Sequence, residues 1–178
     1  MCSVIILRKP DSDWPFIMAA NRDELKTRKW LSPGRHWSDR PNVRGGYDLL
    51  GGGSWLAINE DGVVATVLNR INSLGTLPGK RSRGELPLEA VEFSKASDAA
   101  DKLSMIETKS YRGFNLIVAD ADNGFWLKST GDRGSQVEVT RIPKGISMIT
   151  AFNLNDFRSE RIATQLPLFK RAKHPDPE

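Results

Sequence analysis

The order of elements along the chain predicts an α+β fold: strands first, then helices, then strands again and a closing helix. Two observations carry that reading. Short apolar runs bounded by Gly, Pro, Asn and Asp recur in both halves of the chain, as β-strands require. The helical spacings are confined to separate stretches instead of alternating with each strand, which argues against βαβ units. Two antiparallel sheets between helix layers fit that order.

Taken in sequence, the apolar run Ser3 to Leu7, the polar turn Arg8 to Asp13 and the run Pro15 to Ala20 read as a β-hairpin leading into Asn21-Arg22-Asp23-Glu24. Leu25 to Asn42 is polar and studded with Trp and Pro, and reads as a long surface loop. Arg44 to Asp48 and Gly51-Gly52-Gly53 frame a turn. Ser54 to Asn59 and Val63 to Leu68 then read as a hairpin around Glu60-Asp61-Gly62, ending at Asn69-Arg70. After the polar loop Ile71 to Arg83, Leu86, Leu88, Val91 and Phe93 mark one helix. Ala99, Ala100, Leu103 and Ile106 mark a second, with Ser97 as its N-cap; together they are expected to cover one sheet face.

Four strands follow, Phe114 to Ala119, Gly124 to Ser129, Gln136 to Ile142 and Gly145 to Ala151, separated by turn clusters and expected to form a meander. Asp156 to Ala172 reads as a helix with Asp156 as N-cap and Pro167 as an interruption. This gives one domain over 1–172 and a disordered tail over 173–178.

The 178 residues suffice to bury roughly two thirds of the unfolded surface in a single core. A net charge of +4, with basic and acidic residues interspersed, argues for solubility and against nucleic-acid binding. One cysteine excludes an internal disulfide, and two histidines far apart exclude a His-rich metal site, so no cofactor is expected. No apolar run approaches the roughly 20 residues of a membrane span, and the start lacks a secretory signal pattern. A cytoplasmic location is the expectation.

The single cysteine, Cys2, sits where removal of Met1 would expose its own α-amine. An ordinary thiol titrates near about 8.5 and an α-amine near about 7.7 to 8.0, so an N-terminal cysteine carries a proton acceptor beside its sulfur. The alternative is a small, half-buried strand residue. Asn21-Arg22-Asp23-Glu24 crowds four polar side chains behind an apolar strand, more than a turn needs. Asp23 could hold the α-amine through a charge-assisted hydrogen bond. Arg22 could pair with a substrate carboxylate or simply with Glu24.

Asn69 ends an apolar strand, and its amide could donate to a developing oxyanion, a contribution of about 3 to 4 kcal/mol when well placed; the alternative is a strand-end turn residue. Gly51-Gly52-Gly53 lacks the spacing of a phosphate loop and reads as a turn. His36-Trp37 could cap a flat ligand or bind haem iron, against a solvated loop histidine.

Met1-Cys2, Ala19 to Glu24, Gly51 to Leu56 and Val67-Leu68-Asn69-Arg70 appear in order, with continuation through Arg83 to Leu86 and Tyr111 to Ala119. Together they resemble the NRDE family, also called the transport and Golgi organisation 2 family. That family resembles N-terminal-nucleophile cysteine amidases that cleave bile-salt conjugates and penicillin V. The resemblance implies a four-layer αββα sandwich of two antiparallel sheets. It assigns Cys2 as nucleophile, Asp23 as the carboxylate that holds the amine, and Asn69 as oxyanion donor. It also calls for a second asparagine, met by Asn153 or Asn155, of which Asn153 is preferred. Asn21, Arg22 and Arg70 are the expected substrate-binding residues.

Two departures stand out. The amidases carry an arginine three residues before the aspartate, where this chain has Ala20. Family members usually continue for several dozen residues more, with a late strand pair containing an arginine and serines; nothing here matches it, so the family's C-terminal strands are expected to be missing.

Two functions follow from different classes. In one, mature Cys2 attacks a linear amide of a small-molecule substrate and the α-amine shuttles the proton. In the other, the fold serves as a non-catalytic intracellular carrier for haem or a lipid or acyl ligand, in keeping with the haem trafficking and lipid homeostasis to which the family is linked, with Cys2 or His36 available to haem iron. A structural subunit without a small ligand is a third reading.

Overall fold

The computed structural model describes residues 2–132 and 135–175. Met1 and the last three residues of the expected tail lie outside them. The elements are β1 (Ser3–Arg8), β2 (Phe16–Asn21), β3 (Trp30–Gly34), β4 (Arg44–Asp48), β5 (Leu56–Ile58) and β6 (Val64–Asn69). After these come α1 (Glu85–Ala90), α2 (Ala96–Ser104), β7 (Phe114–Ala119), β8 (Gly124–Ser129), β9 (Glu138–Arg141), β10 (Gly145–Ile149) and α3 (Glu160–Arg171). All strand pairs are antiparallel. One sheet has the order β10-β1-β2 and the other the order β3-β4-β5-β6-β7-β8-β9.

Side-chain alternation builds the layers. In β7, Phe114, Leu116 and Val118 join Leu86, Ala99, Ala100 and Leu103 of α1 and α2 in one core. Ile117, on the opposite face, joins Leu68 and Trp126 of the large sheet and Val4, Ile6 and Ile149 of the small sheet in a second core. Met148 of β10 turns away from that space and packs with Ile162 and Leu166 of α3. Three cores in three interlayer spaces give the αββα sandwich.

The two hairpins and the strands β7 and β8 lie where the sequence places them; elsewhere the structure corrects it. The expected loop Leu25 to Asn42 contains β3, an edge strand whose first four residues are exposed and which includes Pro33, so no apolar alternation advertises it. Arg44 to Asp48 forms β4 instead of framing a turn. Its glycines permit close packing: a Cβ at Gly46 would come within 2.3 Å of the Trp55 ring.

The last four strands are not one meander, because β10 leaves β9 at Pro143-Lys144-Gly145, where Gly145 has φ +89°, and pairs with β1 in the other sheet. Ser97 is inside α2; Lys95 is its N-cap, and the backbone N–H of Ala96 donates to Asp120 at 2.7 Å, so the cap comes from the β7–β8 turn. Ser159, not Asp156, caps α3, and that helix runs through Pro167.

The polar link between the sheets is Asn115, fully buried on the inner face of β7. Its amide nitrogen donates to the carbonyls of Thr150 (2.9 Å) and Phe152 (2.8 Å), just beyond β10. Its amide oxygen accepts from Arg70 Nη1 (2.7 Å) and Trp126 Nε1 (3.1 Å). Every donor and acceptor position of the side chain is used. Asn115→Leu keeps the volume but leaves two carbonyls, an indole N–H and a guanidinium without their partner. The expected loss is about 3 kcal/mol or more, measured as a lower urea midpoint at unchanged m-value.

Candidate active site

The end of the small sheet where β1 begins and β2 ends brings together several expected residues. Ser3 pairs with Asn21 and Val4 with Ala20, and Val4 and Ile6 face the inter-sheet core. Cys2 is half-buried and packs against that core, and its Sγ lies 3.7 Å from the Asp23 carbonyl. The Asp23 carboxylate accepts from Asn21 Nδ2 at 2.6 Å and Arg161 Nη2 at 3.0 Å, and Arg161 Nη1 lies 3.4 Å from Ser3 Oγ. The thiol thus touches the main chain of the residue whose carboxylate α3 anchors. The Asp23 carboxyl is held below its ordinary range, first by a hydrogen bond from the chain's amino terminus, against partial desolvation, and then by hydrogen bonds from Arg161 and Asn21.

Arg161 is the residue that sequence reasoning missed. It reaches Asp23 from α3, far along the chain from the Asn21 to Glu24 cluster. Removal of Met1, by contrast, concerns a residue outside the described ones.

Arg22 turns toward the large sheet. Its guanidinium lies 4.4 Å from the Trp55 ring centroid, 3.6 Å from Glu24 and 3.7 Å from Asp48. Arg28 closes the group with a 2.7 Å contact to Asp48. Ala20 and Arg22, two residues apart, sit at positions of one parity on β2 and its extension. Ala20 itself carries no guanidinium, and that of Arg22 is committed to Trp55, Glu24 and Asp48.

Beyond β6, Arg70 donates to Asn115 and, through Nη2 at 2.9 Å, to Asn153 Oδ1. The acceptor side of Asn153 is thereby occupied and its NH₂ is left to donate. Asn155 differs: its Oδ1 accepts from the Met148 backbone at 2.8 Å and its Nδ2 donates to Ser147 Oγ at 3.3 Å, so it is spent on holding β10. Asn69 pairs opposite Phe114, whose side chain belongs to the helix-side core, while Leu68 faces the inter-sheet core. The Asn69 amide, partly exposed at the strand end, makes no side-chain hydrogen bond with another described residue.

His36 is on the far side of the large sheet. Its Nε2 lies 2.8 Å from the Ser32 carbonyl, and its ring contacts Trp37 and Tyr47. Gly51 to Gly53 make a turn, as the sequence indicates: Gly52 has φ +68°, and a Cβ at Gly53 would stand 2.4 Å from the backbone of Gly84. Among the described residues no group of His, Cys, Asp and Glu could hold a metal ion.

The Transport and Golgi organisation 2 family matches residues 1–171. The chain belongs to it. The bovine (Bos taurus) Transport and Golgi organization protein 2 homolog is 34% identical over 139 residues, 71% of this chain and 47% of the relative. The human (Homo sapiens) homolog is 30% identical over 132 residues, again 71% of this chain and 47% of the relative. The chain thus spans about half the length of these relatives.

Among solved structures, the Caenorhabditis elegans N-acylethanolamine-hydrolyzing acid amidase ortholog superimposes with TM-score 0.69 at 13% identity, covering 100% of this chain and 82% of that one. A mutant of conjugated bile acid hydrolase from Clostridium perfringens does so with TM-score 0.54 at 14% identity, covering 83% of this chain and 53% of that one. Both likenesses concern the fold, that of the N-terminal-nucleophile amidases. Among the described residues no helix is long and apolar enough to cross a membrane.

The lowered pKa of Asp23 has a signed consequence for stability. Its stabilisation is fully present above the unfolded value and is lost as pH falls through the lower folded value. Asp23→Asn should melt below the wild type at pH 7. The gap should close as pH drops from the ordinary 3.8 through the folded value, followed by circular dichroism melts across that range.

Proposed function

We propose that this chain is a cysteine amidohydrolase of the N-terminal-nucleophile type, acting on a linear amide bond of a small molecule after removal of Met1, within a single domain over 1–172. The observation that carries the reading is the position of the thiol. Cys2 lies against the inter-sheet core at the open end of the sandwich, 3.7 Å from the Asp23 carbonyl and next to a carboxylate that Asn21 and Arg161 hold in place.

In the mature form the α-amine of Cys2 takes the thiol proton and Asp23 fixes that amine. The thiolate adds to the amide carbon, and the C–N bond breaks as the ammonium returns its proton to the departing amine. Water, deprotonated by the same amine, then releases the acyl group as a carboxylic acid and restores the thiol. The NH₂ of Asn153 is the donor assigned to the oxyanion; Asn69, assigned the same role by the resemblance, pairs opposite Phe114 of the helix-side core and would reach the thiol only from the exposed end of β6. Asn21, Arg22 and Arg70 border the same end and are assigned to substrate positioning. A reduced thiol suits a cytoplasmic location.

A second reading has its own observation. Seven strands face three, and part of the inner face of the large sheet lies open: Trp30 and Ile58 are 48% and 43% exposed, and Trp55 packs edge-on with Trp30 at 5.5 Å. With Arg22 over Trp55, such a shelf suits a carrier of a large apolar anion such as haem or an acyl chain. His36 packs with Trp37 and Tyr47 on the opposite face of the large sheet, so Cys2 is the iron ligand assigned in this reading.

The readings separate in one set of assays. With a panel of N-acyl amides, the amidase predicts turnover that falls by about 10³-fold or more in Cys2→Ala and by about 10²-fold to 10³-fold in Asn153→Ala. A carrier predicts no turnover, and a saturable Soret shift on haem titration that Trp55→Ala weakens.

A further inference from the structure

A second cluster of charge lies outside the cysteine network. Arg70, Lys80 and Arg112 line a cleft of about 480 Å³ with Tyr111, Gly113 and a single carboxylate, that of Asp132. A volume of that size lies within the range of small-molecule sites. Arg83 stands behind the wall, donating through Nη1 to Ser73 and to the Gly113 carbonyl at 2.9 Å, and through Nη2 to the Gly75 carbonyl at 3.2 Å.

The hydrogen-bond partners of this cluster are all neutral. Arg70 bonds only the amide oxygens of Asn115 and Asn153. Arg112 bonds the carbonyls of Leu74 and Asn72, and Lys80 the carbonyl of Lys109. Arg83 ends on carbonyls and a hydroxyl. Among the described residues none of the four makes an ion pair; Arg8, Arg141 and Arg171 likewise end on neutral partners, but they are not gathered around one cleft.

Four cations with neutral partners, crowded around one cleft, are short of negative charge. Desolvation lowers the Arg83 guanidinium to about 10, and the charge of Arg112 adds to the effect. Desolvation also lowers Arg70, against the distant carboxylates of Glu138 and Asp156.

We infer that this cleft binds the oxyanion of a small molecule, a phosphate or a carboxylate, with Arg112 and Lys80 as the direct donors and Arg70 at its edge. The flat, forked guanidinium of Arg112 suits two-point contact with either anion, while Lys80 supplies a point charge. Asp132, on the opposite wall, limits the affinity and excludes cations less strictly than a purely basic cleft would. Arg70 also borders the Asn115 and Asn153 network, so an anchored ligand lies beside the cysteine end of the sandwich. The binding itself does not depend on cysteine chemistry.

Calorimetric titration of the full chain with inorganic phosphate and, separately, with citrate, at constant ionic strength set by sodium chloride, tests the site. The expected result is saturable binding of at least one anion, weakened roughly tenfold or more in Arg112→Gln and tightened several-fold in Asp132→Asn, with Lys102→Gln on α2 as an unaffected control. Stronger binding of phosphate names a phosphate ligand, and stronger binding of citrate a carboxylate. Absence of saturable binding by both, or affinities that do not follow the order Asp132→Asn, wild type, Arg112→Gln, would overturn the inference.

Discussion

One buried amide organises this molecule. Asn115 stands in a strand that is otherwise apolar and fully buried, on the face where two sheets meet, and it satisfies four polar groups from three directions. A hydrophobic residue there would suit the core better locally, because an unpaired amide in such a place costs several kcal/mol. What the amide gives in return is position. The Thr150 to Asn153 segment is held against the ends of β6 and β7, Arg70 is oriented, and through Arg70 the Asn153 side chain is turned so that its NH₂ is free. The cysteine end of the sandwich inherits its geometry from that clamp.

Around it the sheets divide the work. The small sheet carries the thiol and, through α3, the Arg161 cation that steadies Asp23. The large sheet carries Arg70 and the Trp55 shelf that receives Arg22. Arg22, one residue before Asp23, is turned away from the thiol onto that shelf and the Glu24 and Asp48 carboxylates. The three-stranded sheet leaves β3 to β5 uncovered on their inner face, and the matched relatives are about twice as long as the aligned portion.

Much of the fold was legible because it rests on local rules. The hairpin of β1 and β2, and β7 and β8, announce themselves through apolar runs and turn residues, and the family motifs placed them in an αββα sandwich. β3 and β4 were not legible, since an exposed edge strand with proline and a glycine pair under a tryptophan leave no alternation to read. β10 was recognised as a strand but assigned to the wrong sheet, because periodicity specifies a strand and not its partner.

In the site, the Asn21 to Glu24 cluster was visible as an excess of polarity after an apolar strand. Arg161 was not: it reaches Asp23 across 138 residues of sequence and carries no local mark. Asn115 did carry one, a lone amide in a buried apolar run, which demands partners wherever it occurs.

The central claim is that Cys2 works as an N-terminal nucleophile, and the intact mass of the purified protein, before and after brief mild alkylation, tests it most directly. The account predicts a mass lacking methionine and a single adduct gained rapidly at neutral pH. A retained methionine together with a thiol that resists alkylation would contradict it.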